Sequence, residues 1–307
     1  MSSSLRRAAD DAGLPIDEFA EPQSRHVVVD GHRLHYLDWG NDELPTVVLL
    51  HGHGLTAHTW DLVALAIRPY VHCVAVDLRG HGDSEWSAAG DYRIPAYVND
   101  TVGLIGEVAN GSAVVVGHSL GGIVALRTAI RAPDRVCGTV VIDIGPDSEK
   151  RFREGFQEGK AGTAKRLASF MAMPSELDSV EAFVQQSLAF NPRRNPETLR
   201  ISLMHNLRQL PNGNWAWKYD RRHYGKQQPD EASNHWTDLD QVYGHVLVVR
   251  GGRSDILTEA GAQDFVEQLP LARWASVPDA GHTVQGDQPA GLVEVLRPFL
   301  NELGMSC

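Results

Sequence analysis

Two rhythms of apolar residues alternate along most of the chain. Short uninterrupted apolar runs occur at 46–50, 73–76, 113–116, 139–142 and 245–249. They are too short for helices and rich in Val and Ile, as expected of strands buried on both faces of a parallel sheet. Between them lie segments whose apolar residues recur every three to four positions, and this spacing predicts helices over about 57–67, 94–108, 123–130, 258–268 and 289–300. A further strand is predicted at 273–277. Nearer the start, the runs 25–29 and 34–39 flank Asp30-Gly31, a tight-turn pair that predicts a hairpin. Strands alternating with helices predict an α/β fold, with a mostly parallel central sheet flanked by helices.

The rhythm breaks once. From 147 to 236 the pattern is mostly helical, with loop signals at Met173-Pro174-Ser175, Asn191-Pro192 and Pro211-Asn212-Gly213. Charge changes with it: this stretch carries net +3, and the rest of the chain net −14. Both shifts predict an inserted helical cap subdomain at 147–236, leaving a core of 23–146 and 237–307. Residues 1–22 read as a polar extension, loose or docked.

Composition narrows the function. At 307 residues the chain suits one large domain or one domain with an insertion. A net charge of −11 implies no dominant basic surface, so neither nucleic acid nor an anionic membrane is expected as a partner. No apolar run approaches the roughly 18 residues that span a bilayer, and the first residues lack the apolar core of a secretory signal. Cys73, Cys137 and Cys307 are widely spaced, without the pattern of a disulfide framework or a metal knuckle. These features predict a cytoplasmic protein.

In sheets of this class chemistry gathers where the carboxyl ends of the strands meet their loops. The most informative such loop is Gly117-His118-Ser119-Leu120-Gly121-Gly122, between a predicted strand and a predicted helix. That is the context of a nucleophile elbow, a tight turn that lifts a serine hydroxyl clear of the sheet. Ser119 is therefore the candidate nucleophile. A serine needs a base, and among 14 histidines His282 stands out, because its loop follows the last strand. An acid must orient that histidine. Asp255, after the strand at 245–249, is the first choice, and Asp143, after the preceding strand, is the rival. Backbone amides must receive the developing oxyanion. Leu120 supplies one, and the His51-Gly52-His53-Gly54 loop supplies the other, with His53 the first choice and Gly54 the second. His51, His53 and His58 could suggest a metal, but no carboxylate or cysteine accompanies them at ligand spacing, so no metal and no cofactor are expected.

Together these motifs resemble the α/β-hydrolase superfamily: HGHG at 51–54, DLRGHGDS at 77–84, GHSLGG at 117–122, GGRSD at 251–255 and AGH at 280–282. The resemblance spans about residues 26–300. It implies an α/β-hydrolase fold with a cap after the sixth strand and a serine carboxylesterase-like activity on small carboxylic esters. A lactonase or a carbon–carbon bond hydrolase is the alternative, and a non-catalytic ligand-binding homologue is the third reading. Ser at position 119 disfavours the epoxide hydrolases and haloalkane dehalogenases, which carry Asp there. The expected partner is a small ester or lactone. Trp215, Trp217, Trp236, Phe152, Phe156, Phe170, Phe183 and Phe190 either line an acyl pocket or form the cap's own core.

Overall fold

Strand β3 (Thr46–Leu50) is buried along its whole length, and its side chains divide between two cores. Val47 and Leu49 join one apolar cluster, while Val48 and Leu50 join the other. This is the two-residue alternation of a strand covered on both faces. The computed structural model describes residues 2–16, 18–148, 174–190, 192, 194–222 and 235–305.

Eight strands form the central sheet: β1 (Gln23–Val29), β2 (His32–Asp38), β3, β4 (His72–Asp77), β5 (Ala113–His118), β6 (Val136–Ile142), β10 (His245–Gly251) and β11 (Ala272–Val277). Their order is β1-β2-β4-β3-β5-β6-β10-β11. β2 pairs antiparallel with β1 and β4, and the remaining strands run parallel. The predicted hairpin is present: Val29 faces His32, and Asp30 and Gly31 both take positive φ.

Helices α1 (Ser2–Asp11), α2 (Asp61–Ile67) and α9 (Pro289–Glu302) cover the face that receives Val47, through residues such as Ala9, Leu65 and Leu296. Helices α3 (Ile94–Val108), α4 (Leu120–Arg131) and α7 (Glu259–Val266) cover the other, through Leu104, Val124 and Phe265. The polar extension at the N-terminus is docked, because Ala8, Ala9 and Leu14 give it a small apolar face. The helix expected over 57–67 starts as a 3₁₀ turn at Ala57–Trp60, where the Ala57 amide donates to Asp77 Oδ1 at 2.7 Å.

The described part of the 147–236 insertion contains α5 (Val180–Phe190) and α6 (Pro196–Asn206), and also three short strands that the helical expectation did not include. β7 (Glu176–Leu177), β8 (Leu207–Gln209) and β9 (Trp215–Trp217) form an antiparallel sheet with β9 at its centre. Asn195 caps α6 by accepting from the amides of Glu197 and Thr198. Phe183, Leu199, Leu203, Trp217 and Tyr219 pack into a separate apolar cluster, so Phe183 and Trp217 serve this subdomain's own core. Trp236 instead packs on Phe265 of the main core, with ring centroids 5.3 Å apart. Phe152, Phe156, Phe170 and the side chain of Phe190 lie outside the described residues. The insertion grips the core through Lys218, 2.8 Å from Asp83, and through Tyr92, whose hydroxyl donates to Asp220 at 2.7 Å.

Candidate active site

The parallel strands bring the loops after β3, β5, β6, β10 and β11 to one edge of the sheet, and the predicted residues meet there. Ser119 follows β5 with φ 53° and ψ −115°, a conformation that costs a non-glycine residue about 1–3 kcal/mol. Sterics enforce it. A Cβ on Gly117 would overlap the Gly121 carbonyl, and a Cβ on Gly121 would overlap the Leu50 carbonyl. The turn is pinned by the Ser119 amide, which donates to the Ile142 carbonyl at 2.9 Å, and by the Gly122 amide, which donates to the Ser119 carbonyl at 2.9 Å.

His282 reaches this turn from the loop after β11. Its Nε2 lies 3.2 Å from Ser119 Oγ, and its Nδ1 lies 2.8 Å from Asp143 Oδ2. Because Nδ1 faces a carboxylate, it carries the proton and donates, which leaves Nε2 to accept from the serine. The acid beside His282 is therefore Asp143 and not the expected Asp255. β6 lies between β5 and β10, so a residue at its end sits between the serine and the histidine loops. Asp143 is fully buried and takes a positive φ of 53°. Its amide donates to the Val249 carbonyl at 2.7 Å, and its Oδ1 accepts from the Gly251 amide at 2.9 Å. The loop after β10 sends Ser254 to the site instead of Asp255. Ser254 Oγ donates to Asp143 Oδ2 and accepts from the Ile256 amide, which turns the chain so that Asp255 takes no part in the His282 bond. The sequence signal for Asp143 was its place directly after a buried strand.

His118, unremarked in the sequence, also belongs here. It is buried beside the elbow, and its Nε2 donates to the backbone carbonyl of His282 at 2.8 Å. Burial, with His282 close by, holds its pKa well below the ordinary imidazole value. Its other nitrogen points at Gly52, where a Cβ would come within 2.6 Å.

The loop after β3 passes directly over Ser119: a Cβ on Gly52 would lie 3.3 Å from the serine Cβ. His51 shapes the loop. Its Nε2 accepts from the Leu78 amide at 3.0 Å, so its Nδ1 holds the proton and donates to the Gly52 carbonyl at 2.8 Å. His53 packs edge-on against His81 and Tyr219, with centroids 5.2 and 5.5 Å away. Burial, reinforced by His51 and Arg221, lowers the His53 pKa to about 3. Gly54 takes a φ of +73°, and its carbonyl accepts from Asn206 of α6 at 2.7 Å. Leu120 opens α4 directly after Ser119, so its amide is among the first of the helix and has no intrahelical acceptor.

A serine after β5, an aspartate after β6 and a histidine after β11, in this sheet order, narrow the comparison with known proteins. Residues 47–295 match the model of the alpha/beta hydrolase family. The chain belongs to that family. Within the alpha/beta hydrolases it is 35% identical over 268 residues to esterase Rv0045c of Mycobacterium tuberculosis, covering 86% of this chain and 85% of that one. A solved structure of that esterase superposes with a TM-score of 0.80 at 33% identity, covering 97% of each chain. The 3-hydroxybutyrate-oligomer hydrolase of Cupriavidus necator is 28% identical, over 84% of this chain and 90% of the relative. The crystal structure of E-2-(acetamidomethylene)succinate hydrolase shares the fold, with a TM-score of 0.77 at 22% identity over 91% of this chain and 99% of that one. No described helix is long and apolar enough to cross a membrane.

Proposed function

We propose that this alpha/beta hydrolase is a serine esterase that cleaves small carboxylic esters through an acyl-enzyme, with Ser119 as nucleophile, His282 as base and Asp143 as the orienting acid. The observation that carries the reading is the chain of contacts from Ser119 Oγ to His282 Nε2 (3.2 Å) and from His282 Nδ1 to Asp143 (2.8 Å). The likeness to an esterase and to a hydrolase of hydroxybutyrate oligomers supports ester cleavage.

Ser119 Oγ attacks the ester carbonyl while His282 Nε2 takes its proton. The imidazolium that forms is stabilised by Asp143, whose carboxylate is already oriented by the Gly251 amide and the Ser254 hydroxyl. The tetrahedral oxyanion is received by the amides of His53 and Leu120. His282 then returns the proton to the departing alkoxide, leaving the acyl group on Ser119. Water enters, His282 removes its proton, and collapse of the second tetrahedral intermediate releases the acid.

A fluorophosphonate probe should label the wild-type protein and leave Ser119→Ala unlabelled. Turnover of p-nitrophenyl esters of increasing chain length, run beside a panel of lactones, then separates the esterase from a lactonase. Undiminished ester hydrolysis in Ser119→Ala would overturn the proposal.

A further inference from the structure

A second group of titratable side chains lies outside the Ser119 site. His58 is in the 3₁₀ turn before α2, Asp61 opens α2, and His205 lies near the end of α6. The two imidazoles are stacked face to face, with centroids 3.4 Å apart and planes 19° apart. His58 Nδ1 is 2.9 Å from Asp61 Oδ2. One ligand atom from each of the three residues lies within 4.8 Å of the other two. Asp61 is buried, and its Oδ1 has no hydrogen-bond partner among the described residues. A buried carboxylate oxygen without a donor is costly, and two stacked imidazoles cannot both carry charge. Burial, with His58 beside it, drives the His205 pKa down to about 4. Burial also acts against charge on His58, but Asp61 outweighs it and raises that pKa.

We propose that His58, Asp61 and His205 bind a first-row divalent transition metal ion that ties the core to the cap. Two imidazoles and one carboxylate are donors suited to Zn²⁺ and its neighbours, whereas Mg²⁺ and Ca²⁺ favour all-oxygen sites. Donors around a tetrahedral ion stand roughly 3.3 Å apart, and an imidazole binds an ion in its own ring plane, so one of the two stacked rings turns out of the stack to bring its nitrogen to the ion. A cavity of about 30 Å³ adjoins them, lined by His58 and Asp61 with Thr59, Arg194, Thr198 and Gln285. That is room for a water or two and so for the fourth ligand. Of the nearby cations, Lys218 is held by Asp83 at 2.8 Å, and Asp287 offsets the charge of Arg194. The ion enters between His58 Nδ1 and Asp61 Oδ2, and the proton that a neutral ring carries on Nδ1 moves to its other nitrogen. The spacing along the chain could not reveal this site, because His205 comes from a different subdomain. Its neighbour Asn206 holds the Gly54 carbonyl, two residues after the Gly52 that lies over Ser119, so an ion here also steadies that loop.

The test is titration of the 307-residue chain with Zn²⁺ and with Co²⁺ by calorimetry, together with the visible spectrum of the Co²⁺ form. We expect saturable binding of one ion per chain, a tetrahedral-type cobalt spectrum and a raised Tm. His58→Ala and His205→Ala should each weaken binding at least about 100-fold, since even outer-shell changes cost 10–100-fold. His205→Gln keeps the side chain's bulk and should weaken it comparably, and circular dichroism melts without metal verify that each variant is folded. His282→Ala should leave the affinity unchanged. Absence of saturable uptake overturns the proposal, as does uptake that survives in folded His205 variants or is lost in His282→Ala.

Discussion

His282 Nδ1 lies 2.8 Å from Asp143 Oδ2, across 139 positions of sequence, and Asp255 takes no part in the bond. Asp143→Asn keeps the shape of the carboxylate but lets the ring adopt the wrong tautomer. It should lower kcat on an activated ester about 10⁴-fold. Asp255→Asn should change kcat by less than about threefold, within the usual range for a residue outside a reacting site. Steady-state kinetics of the two variants decide the matter, and equal losses would remove Asp143 from its assigned role.

His118 holds the loop that carries His282, through the bond from its Nε2 to the His282 carbonyl. His118→Phe keeps an aromatic ring but removes that donor. The reacting imidazole then loses its registry with Ser119, and misplacement by about 1 Å can cost roughly 10²-fold. We expect kcat to fall about 10- to 100-fold with KM nearly unchanged. A rise in KM at constant kcat would show that His118 contacts substrate instead of positioning His282.

Gly121 is confined by backbone, not by movable side chains: a Cβ there would meet the carbonyls of Leu50 and His51. Gly121→Ala therefore forces β3 and the elbow apart. Overpacking commonly costs 1–3 kcal/mol, and with backbone as the obstacle a loss of about 3 kcal/mol is expected. Urea unfolding should show a lowered midpoint at unchanged slope. An unshifted midpoint would mean that the elbow has room which the close approach of β3 denies it.

Buried histidines make the fold sensitive to acid. Burial pushes the pKa values of His51, His53, His81 and His118 below the ordinary value, to about 3 for His53. The unfolded chain takes up these protons near pH 6.5, while the folded chain resists them. The stabilisation is therefore complete above about pH 6.5 and is lost as the pH falls toward the folded values. His58 is shifted the other way by Asp61, and burial raises Asp61 itself, so this pair opposes the trend. Tm measured from pH 7.5 down to 4.5 should fall progressively, with more than one proton taken up on unfolding. A flat profile across that range would contradict the burial of these imidazoles in neutral form.

The fold and the tight turn at Ser119 were legible because local patterns carry them. Strands such as β3 announce themselves as apolar runs, since both faces are covered, and α3 was predicted at its observed bounds, Ile94–Val108. The turn at Ser119 is written in Gly117 and Gly121, because each glycine is demanded by backbone within a few residues or on the adjacent strand. His282 was readable from its place after the last strand.

The identity of the acid was not readable, since Asp143 and Asp255 both follow strands that end at the same edge of the sheet. The choice came from side-chain direction within the loops: Asp143, at a positive φ, reaches His282 and takes the place expected of Asp255, while the loop after β10 brings Ser254 to the Asp143 carboxylate. The sheet within the insertion and the meeting of His58 with His205 depend likewise on how distant segments pack. Periodicity and spacing act over a few residues and set elements and turns. Which atoms of two distant loops touch is set by strand order and loop path, and these exist only once the chain has folded.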